Sequence, residues 1–522
     1  MSELEISEPC DLLLVGGRVI DPESGLDGVR SIGIRGGRIV HIGDDDVAAR
    51  ERLDVAGLVV SPGFIDLHSH AQTKTGLRLQ AMDGVTTSLE LEAGALPVAA
   101  YYESAEQEGR PINFGFSAGW AYARMHVLDG VPMARPRDDD DYKVAINMFA
   151  KNQDGSRWRG PASTAEVGDI LRVVRNQLED GAIGIGVLAG YSPDSSGVEF
   201  DDLAKMAAEF DQPLFVHARY MASTEPHSAL DAVAEIVRAS ETFSAPIHLC
   251  HMNSTSGQLT SAVAERLLKA QAGGARVTTE VYPYSAGSTV IGAAFLAPEQ
   301  LAKNHLQPKS IIYLKTAERI ATKKRLAEVR TEDAGGACVV EFFDEQDPAE
   351  LDQLMRALTF PGAAVASDSM PMTFSGEEHE RTAAEAALRG DIWPLPPGLA
   401  AHPRSSGCFA KTFSWLVREK SALTLPEAIK RCTLIPANIL ASAAPALKNK
   451  GRLRVGADAD ITVFDPANVE PQGDYWTLRP SRGFLHVLVG GIPVVTGGEL
   501  NVDALPGRAI KGQASAKSDV IG

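Results

Sequence analysis

From residue 61 to about residue 370, short β-rich runs alternate with Ala/Leu/Glu-rich helical runs, and this alternation constrains the fold more than any other feature of the chain. The β-rich runs are SPGFIDLH (61–68), VTTSLELEA (85–93), INFGFSAG (112–119), AIGIGVLAG (182–190), PLFVHARY (213–220), APIHLCHM (245–252), VTTEVYPY (277–284) and AAVASDSM (363–370). TAEVGDILRVVRNQLEDG, FDDLAKMAAEF and SALDAVAEIVRAS are helical runs between them. Strands that alternate with helices pair in parallel, and eight such units close into a (β/α)8 TIM-type barrel. The fold class predicted is therefore α/β.

The chemistry-bearing residues sit at one end of these strands. The first run ends in His68-Ser69-His70. Strand side chains alternate faces, so histidines at i and i+2 point the same way, a geometry that suits two imidazoles on one metal ion. His217 and His251 each cap a further apolar run, Glu92 lies near the end of the second, and Asp368 near the end of the eighth. In a TIM barrel that C-terminal face carries the active site. Four imidazoles and carboxylates converging from separate strands suit Zn²⁺, with Mn²⁺, Fe²⁺ or Co²⁺ as substitutes. Glu90 and Glu92 face one side of the same strand. Glu92, nearer its end, is the ligand candidate, and Glu90 is expected deeper, supporting the ligands. Asp368, a single carboxylate beside a metal site, is the expected proton carrier for hydrolysis.

Composition narrows the partners. Fifty basic against 68 acidic residues give a formal charge of −18, which disfavours nucleic acid and anionic membranes. No window approaches the ~18 apolar residues of a membrane span. The five scattered cysteines form no CxxC pair, and the N-terminal segment lacks a signal-peptide pattern. A reducing cytoplasm is the expected location. No GxGxxG or GxxxxGK[ST] motif supports a nucleotide-binding fold.

Outside the barrel region the texture changes. Residues 11–60 and the segments ADITVFDP and HVLVGGIPVVTGGEL read as short strands punctuated by glycine pairs. Residues 1–60 plus 441–522 are expected to form one small β-sandwich domain, with 61–440 as the barrel and 511–522 as a frayed tail. Residues 290–360 break the alternation and read as an insertion over the active site. Within it a helical stretch, LKTAERIATKKRLAEVRTE (314–332), and a strand, CVVEFFDE, are expected.

The segments PGFIDLHSH, GVTTSLELEAG, VHARY, CHMNSTSG, VYPYSAGST, VASDSMP, HPRSSGCFAKTF and GRLRVGADADITVFDP resemble the amidohydrolase superfamily. More closely they are similar to its N-acyl-D-amino-acid deacylase (D-aminoacylase) branch, from about residue 12 to about 510. The resemblance implies a metal-bearing barrel with a β-sandwich from both chain ends. It implies His68 and His70 as first-strand ligands, His217 and His251 as fifth- and sixth-strand ligands, and Asp368 as the catalytic aspartate. It implies that Tyr282, Ser288 and Arg404 hold a substrate carboxylate. Two positions depart from the pattern. The deacylases carry a cysteine ligand near the end of the second strand, where this chain has LELEAGA, so Glu92 is the expected replacement. The fourth-strand segment AIGIGVLAGY offers no lysine to bridge two metals. Asn253 stands where a substrate-contacting lysine is common and completes the candidate substrate set.

The expected activity is hydrolysis of an amide C–N bond in a small molecule, an N-acyl (D-)amino acid or related N-acyl compound, by one or two Zn²⁺ ions. Cyclic amides, dipeptides and aryl amides are alternative substrates, and a catalytically decayed scaffold is the non-enzymatic one. A homo-oligomer is compatible with the resemblance.

Overall fold

The computed structural model describes residues 8–44, 47–133, 135–136, 145–153, 157–224 and 226–513. Eight parallel strands follow one another in chain order around a barrel. They are β1 (Phe64–Asp66), β2 (Val85–Ala95), β3 (Asn113–Gly119), β4 (Ile185–Leu188), β5 (Leu214–His217), β6 (Ile247–Leu249), β7 (Val277–Val281) and β8 (Ala364–Val365). Beyond β1 and β8, Ser69 bridges Ser369, and His70 N–H donates to the Ser369 carbonyl at 2.8 Å, bringing the barrel's two edges together. Strands buried on both faces must be apolar throughout. The strands are largely apolar, with Thr86, Thr87, Ser88 and Asn113 buried near their starts, while most of their imidazole and carboxylate side chains gather at the mouth.

The helices form where the sequence places caps and an apolar stripe. Ser163 caps Thr164–Glu179 and Ser228 caps Ala229–Phe243, each through a reciprocal box with the residue three on. Ile170, Val174 and Leu178 on the first, and Ile236 and Val237 on the second, pack into the main core.

β2 is the longest barrel strand, and its register with β3 shifts between Glu90 and Ala95. The bulge carries residues 91–94 toward the barrel axis. Glycine permits this twice. At Gly94 φ is +72°, and a Cβ there would lie 2.6 Å from Ser117 Oγ. A Cβ on Gly186 of β4 would lie 2.3 Å from the Glu92 carbonyl oxygen. The fourth strand thus offers empty space where Glu92 enters.

Both chain ends join one nine-stranded sheet. Val59–Pro62, just before β1, pairs antiparallel with Ile461–Phe464, in register Ser61 to Thr462. Leu14, Val19, Ile32, Val60, Ile461, Val463 and Leu488 fill its core. Lys511–Gln513 are docked rather than frayed: Gly512 N–H donates to the Gly181 carbonyl and Gln513 N–H to that of Ala443. The rest of the tail lies outside the described residues.

The excursion between β7 and β8 begins earlier than the sequence suggests, with a strand at Ala286–Val290 that pairs with Ala337–Glu341. The helix expected over 314–332 forms only at Lys323–Glu332, capped by Thr322. The residues before it turn at Ala317, where φ is +54°, and Glu318–Arg319 pairs with Ile312–Tyr313. The N-cap and the β-branched Ile320 and Thr322 explain the late start.

Candidate metal centre and active site

Five of the eight barrel strands deliver polar side chains to one buried point at the barrel mouth. His68 and His70 follow β1, Glu92 rides the β2 bulge, His217 ends β5, His251 follows β6 and Asp368 follows β8. His251 and Asp368 adopt left-handed backbone, with φ of +31° and +50°. Such strain in non-glycine residues gathers where function holds a side chain in place.

Glu92 is the axis of the cluster. Its Oε2 lies 3.2 Å from His68 Nε2 and 3.6 Å from His70 Nε2. Its Oε1 lies 2.7 Å from His251 Nε2 and 3.0 Å from His217 Nδ1. One carboxylate therefore serves two histidine pairs, each oxygen facing one pair. Asp368 Oδ1 adds a further acceptor to the first pair, 3.4 Å from His68 Nε2 and 3.6 Å from His70 Nε2.

The protons of the first pair point away from this centre. His68 Nδ1 is 2.5 Å from Glu280 Oε1, and His70 Nδ1 is 2.9 Å from Glu90 Oε2. Carboxylates only accept, so each Nδ1 carries the hydrogen of its neutral ring. Both Nε2 atoms are then lone pairs, yet they face each other at 3.1 Å, with carboxylate oxygens beside them. Four acceptors converge with no donor among them, and a cation is the component such a set lacks. His217 Nε2 is likewise buried without a hydrogen-bond partner among the described residues.

With no ion at that point, the surrounding carboxylates would draw protons onto the rings instead. Burial works against a charged His70, but Glu90 and Glu92 outweigh it and push the ring up to about 9. Burial likewise opposes charge on His68, and Glu92, Asp368 and Glu280 raise it well above the ordinary range. Glu92, despite its burial, is held well below the usual carboxylate range by His68, His251 and His217. The cluster calls for positive charge at its centre, and the histidine–carboxylate donor set fits divalent ions. Glu92, with His68 and His70 or with His217 and His251, forms two such groups, ligand atoms within 4.8 Å of one another.

Over the cluster lies a small pocket, walled by apolar Ile146, Phe149, Leu188 and Val340 among others, and open to His70, Glu92, His217, His251 and Asp368. Tyr282, Ser288 and Arg404 also reach it. Arg404 Nη2 donates to Asp368 Oδ2 at 2.8 Å, and its guanidinium stacks 4.5 Å over the Tyr282 ring. Arg404 Nε and Nη1 are buried without partners among the described residues. Ser288 commits its hydroxyl to the Cys338 carbonyl at 3.0 Å. Asn253 differs from the other expected residues: its Nδ2 donates to the carbonyls of Tyr282 and Tyr284, bracing that turn from below rather than lining the pocket wall.

No family model matches the chain. It is 29% identical to the N-acyl-D-glutamate deacylase of Alcaligenes xylosoxydans xylosoxydans over 98% of each chain. It is 26% identical to the D-aminoacylase of the same organism, over 94% of this chain and 95% of that one. The crystal structure of N-acyl-D-glutamate deacylase from Bordetella bronchiseptica, complexed with zinc and a phosphonate inhibitor, aligns with a TM-score of 0.73 at 23% identity, over 97% of this chain and 100% of that one. Over nearly its whole length the chain is thus similar in sequence to a D-aminoacylase and an N-acyl-D-glutamate deacylase, and it shares the fold of such enzymes.

Two residues that support this site carry no clear mark in the sequence. Glu280, on β7, accepts from His68 and from His248 Nε2 at 3.1 Å. A lone acid inside the apolar run VTTEV was the only available signal. Asp66 accepts from the Gln80 amide at 2.7 Å, the Ser367 N–H at 2.9 Å and the Ser367 hydroxyl, fastening the β1 ligands to the β8 aspartate. It lies two residues before His68, on the same strand face.

Proposed function

We propose that the chain is a metal-dependent hydrolase of N-acyl-D-amino acids. The observation that carries this reading is Glu92, whose two oxygens each face one histidine pair and so suit a bridge between two ions. His68, His70, His217 and His251 would complete the two coordination sets, with zinc as the favoured metal. Divalent ions held there supply charge that acidifies water and polarises an amide carbonyl.

The residues around them act as follows. Asp368 Oδ1 faces the cluster and accepts the proton of the attacking water. Oxygen bonds to the carbonyl carbon, the C–N bond breaks, and Asp368 returns the proton to the departing nitrogen. Arg404, through its unpartnered Nε and Nη1, and Tyr282 hold the carboxylate of the leaving amino acid, with Ser288 beside them. The apolar walls exclude water, which strengthens these contacts. All five cysteines are buried and unpaired, in keeping with a reducing compartment. Among the described residues no helix is long and apolar enough to cross a membrane.

Replacing Asp368 by Asn tests the reading. Turnover of N-acetyl-D-amino acids should fall about 10²–10⁴-fold, with metal content by elemental analysis unchanged. Retained turnover would sink the assignment.

A second reading draws on Asn253, which leaves Arg404 the only lysine or arginine among the described residues lining this pocket. With one cation rather than two, a cyclic amide, dipeptide or aryl amide would also be accommodated. A hydrolysis panel of N-acyl-D-amino acids against dipeptides, hydantoins and anilides separates the two.

A further inference from the structure

The pocket directly over the metal cluster holds about 40 Å³, far below the about 300–1,000 Å³ of ordinary small-molecule sites. A second cavity of about 280 Å³ lies beside it, and Met221 and Phe295 line both. Together the two reach the lower end of that range.

The chain itself steps from one space to the other. After β4, Leu188 and Tyr191 face the metal pocket while Gly190 lines the cavity. At the end of β5, His217 faces the metal pocket, residues 218 to 222 line the cavity, and Met221 among them borders both. A Cβ on Gly190 would lie 2.5 Å from His217 Cδ2, so the glycine keeps the wall between the two spaces thin.

The cavity's side chains indicate what it takes. Ala218, Tyr220, Met221, Ala222, Ala294 and Phe295 form an apolar arc of its wall, completed by the exposed Asp194 and His227 and the half-buried Gln300 and Asn304. Its internal cation, Arg219, is already committed: Nε and Nη2 bond Glu235, and Nη1 bonds the carbonyls of Pro193 and Ser195. Lys303 is exposed. An anion gains little here, whereas an alkyl chain or aryl ring gains contact and loses water. Met221, half of the shared partition, is an adaptable side chain that shifts at low cost.

Placement fixes which arm of a substrate enters. Arg404, Tyr282 and Ser288 stand after β7 and β8, and the cavity opens after β4 and β5, across the cluster from them. An amide carbonyl over Glu92, with its amino-acid carboxylate held by Arg404, directs its acyl arm past His217 toward Met221 and Phe295.

We propose that this second cavity is an acyl-chain site, making the preferred substrates N-acyl amino acids whose alkyl or aryl acyl group is longer than acetyl. The proposal rests on the N-acyl amino acid reading. Its test uses the zinc-loaded full chain and calorimetric titration with acetate, butanoate, hexanoate and octanoate, the acyl products. Each buried methylene should tighten binding about fourfold, so octanoate should bind well over tenfold tighter than acetate. Ala222→Trp and Ala294→Phe fill the cavity from two sides and should pull the octanoate-to-acetate ratio toward one. If one variant fails to fold by thermal melting, the other carries the comparison. Equal affinity along the series, or a gain that survives in the folded filled variants, overturns the proposal. In parallel, kcat/KM is measured on N-acetyl and N-octanoyl D-amino acids. Octanoate discrimination without any hydrolysis keeps the cavity assignment and removes the deacylase reading. Hydrolysis indifferent to acyl length, together with flat binding, does the reverse.

Discussion

Two buried clusters of charge sit at opposite ends of this molecule's logic. Where the terminal sheet meets the barrel, Lys450 Nζ lies 2.6 Å from Asp460 Oδ2 and 3.0 Å from Asp458 Oδ2. Asp460 also accepts from Gly490 N–H and from the amide of Asn113 at the start of β3. That cluster contains its own cation and satisfies its own acceptors. At the barrel mouth, Glu92 and Asp368 share their inner oxygens with imidazole lone pairs, and the nearest cation, Arg404, contacts only the outer oxygen of Asp368. The chain thus completes a buried charge cluster where it needs only to hold its parts together. It leaves one incomplete where something must bind.

The comparison can be broken from either side. The largest effect is expected at the incomplete cluster. Glu92→Ala removes the oxygens shared by both histidine pairs, so bound zinc should fall from about two per chain to one or none by elemental analysis. Turnover should drop beyond the about 10²–10⁴-fold loss attached to a general acid–base group. Full metal content in that variant would show that Glu92 is not the bridge.

At the self-contained cluster, Lys450→Met strands the buried carboxylate of Asp460, while the half-buried Asp458 keeps Arg38 at 2.5 Å. The change should cost about 3–5 kcal/mol of unfolding free energy, read by denaturant titration, with activity per folded molecule retained. The effect has a pH signature. Burial opposes the charge on Lys450, but Asp460 and Asp458 raise its pKa above the ordinary value. A raised folded-state pKa contributes stability that is fully present below the unfolded lysine value of about 10.4 and is lost as pH climbs through the folded one. The gap between wild type and Lys450→Met should therefore stay level from about pH 7 to 9 and shrink above about pH 10.4. Chelator treatment should leave this gap unchanged.

The smallest effect sharpens the contrast within the metal centre. Glu280→Gln keeps the shape of the side chain but weakens the partner that orients His68. Metal affinity should fall about 10–100-fold, measured by competition with a chromophoric chelator. An unchanged affinity would reduce Glu280 to a packing residue.

The barrel was legible because strand ends carry a regular signal: an apolar run closing in a histidine or an acid, repeated with helices between. His68 and His70 were recognisable as a pair because their spacing matches the strand period. Glu280 was not, since its role depends on His68, 212 residues away in the chain, and only barrel closure joins them. Asn253 stood in a family-like position, but its side chain turned to the backbone of Tyr282 and Tyr284, a choice made by local hydrogen bonding. The segment ADITVFDP was readable as a strand. The work of Asp460 was not, because Lys450 and Asn113 approach it from different parts of the chain. The late start of the helix at Lys323 shows the same limit on a short scale, where a cap and a hairpin override a favourable composition.

The glycine at position 186 has a consequence for the second strand. Because even one added carbon there would press on the backbone carbonyls of Leu91 and Glu92, which any residues at those positions keep, a side chain at position 186 requires the second strand itself to take another course. A ligand supplied by β4 would therefore demand a different backbone path at residues 91–94, not only a different residue at position 92. The missing methyl group on β4 thus fits this barrel to the bulged second strand that presents Glu92.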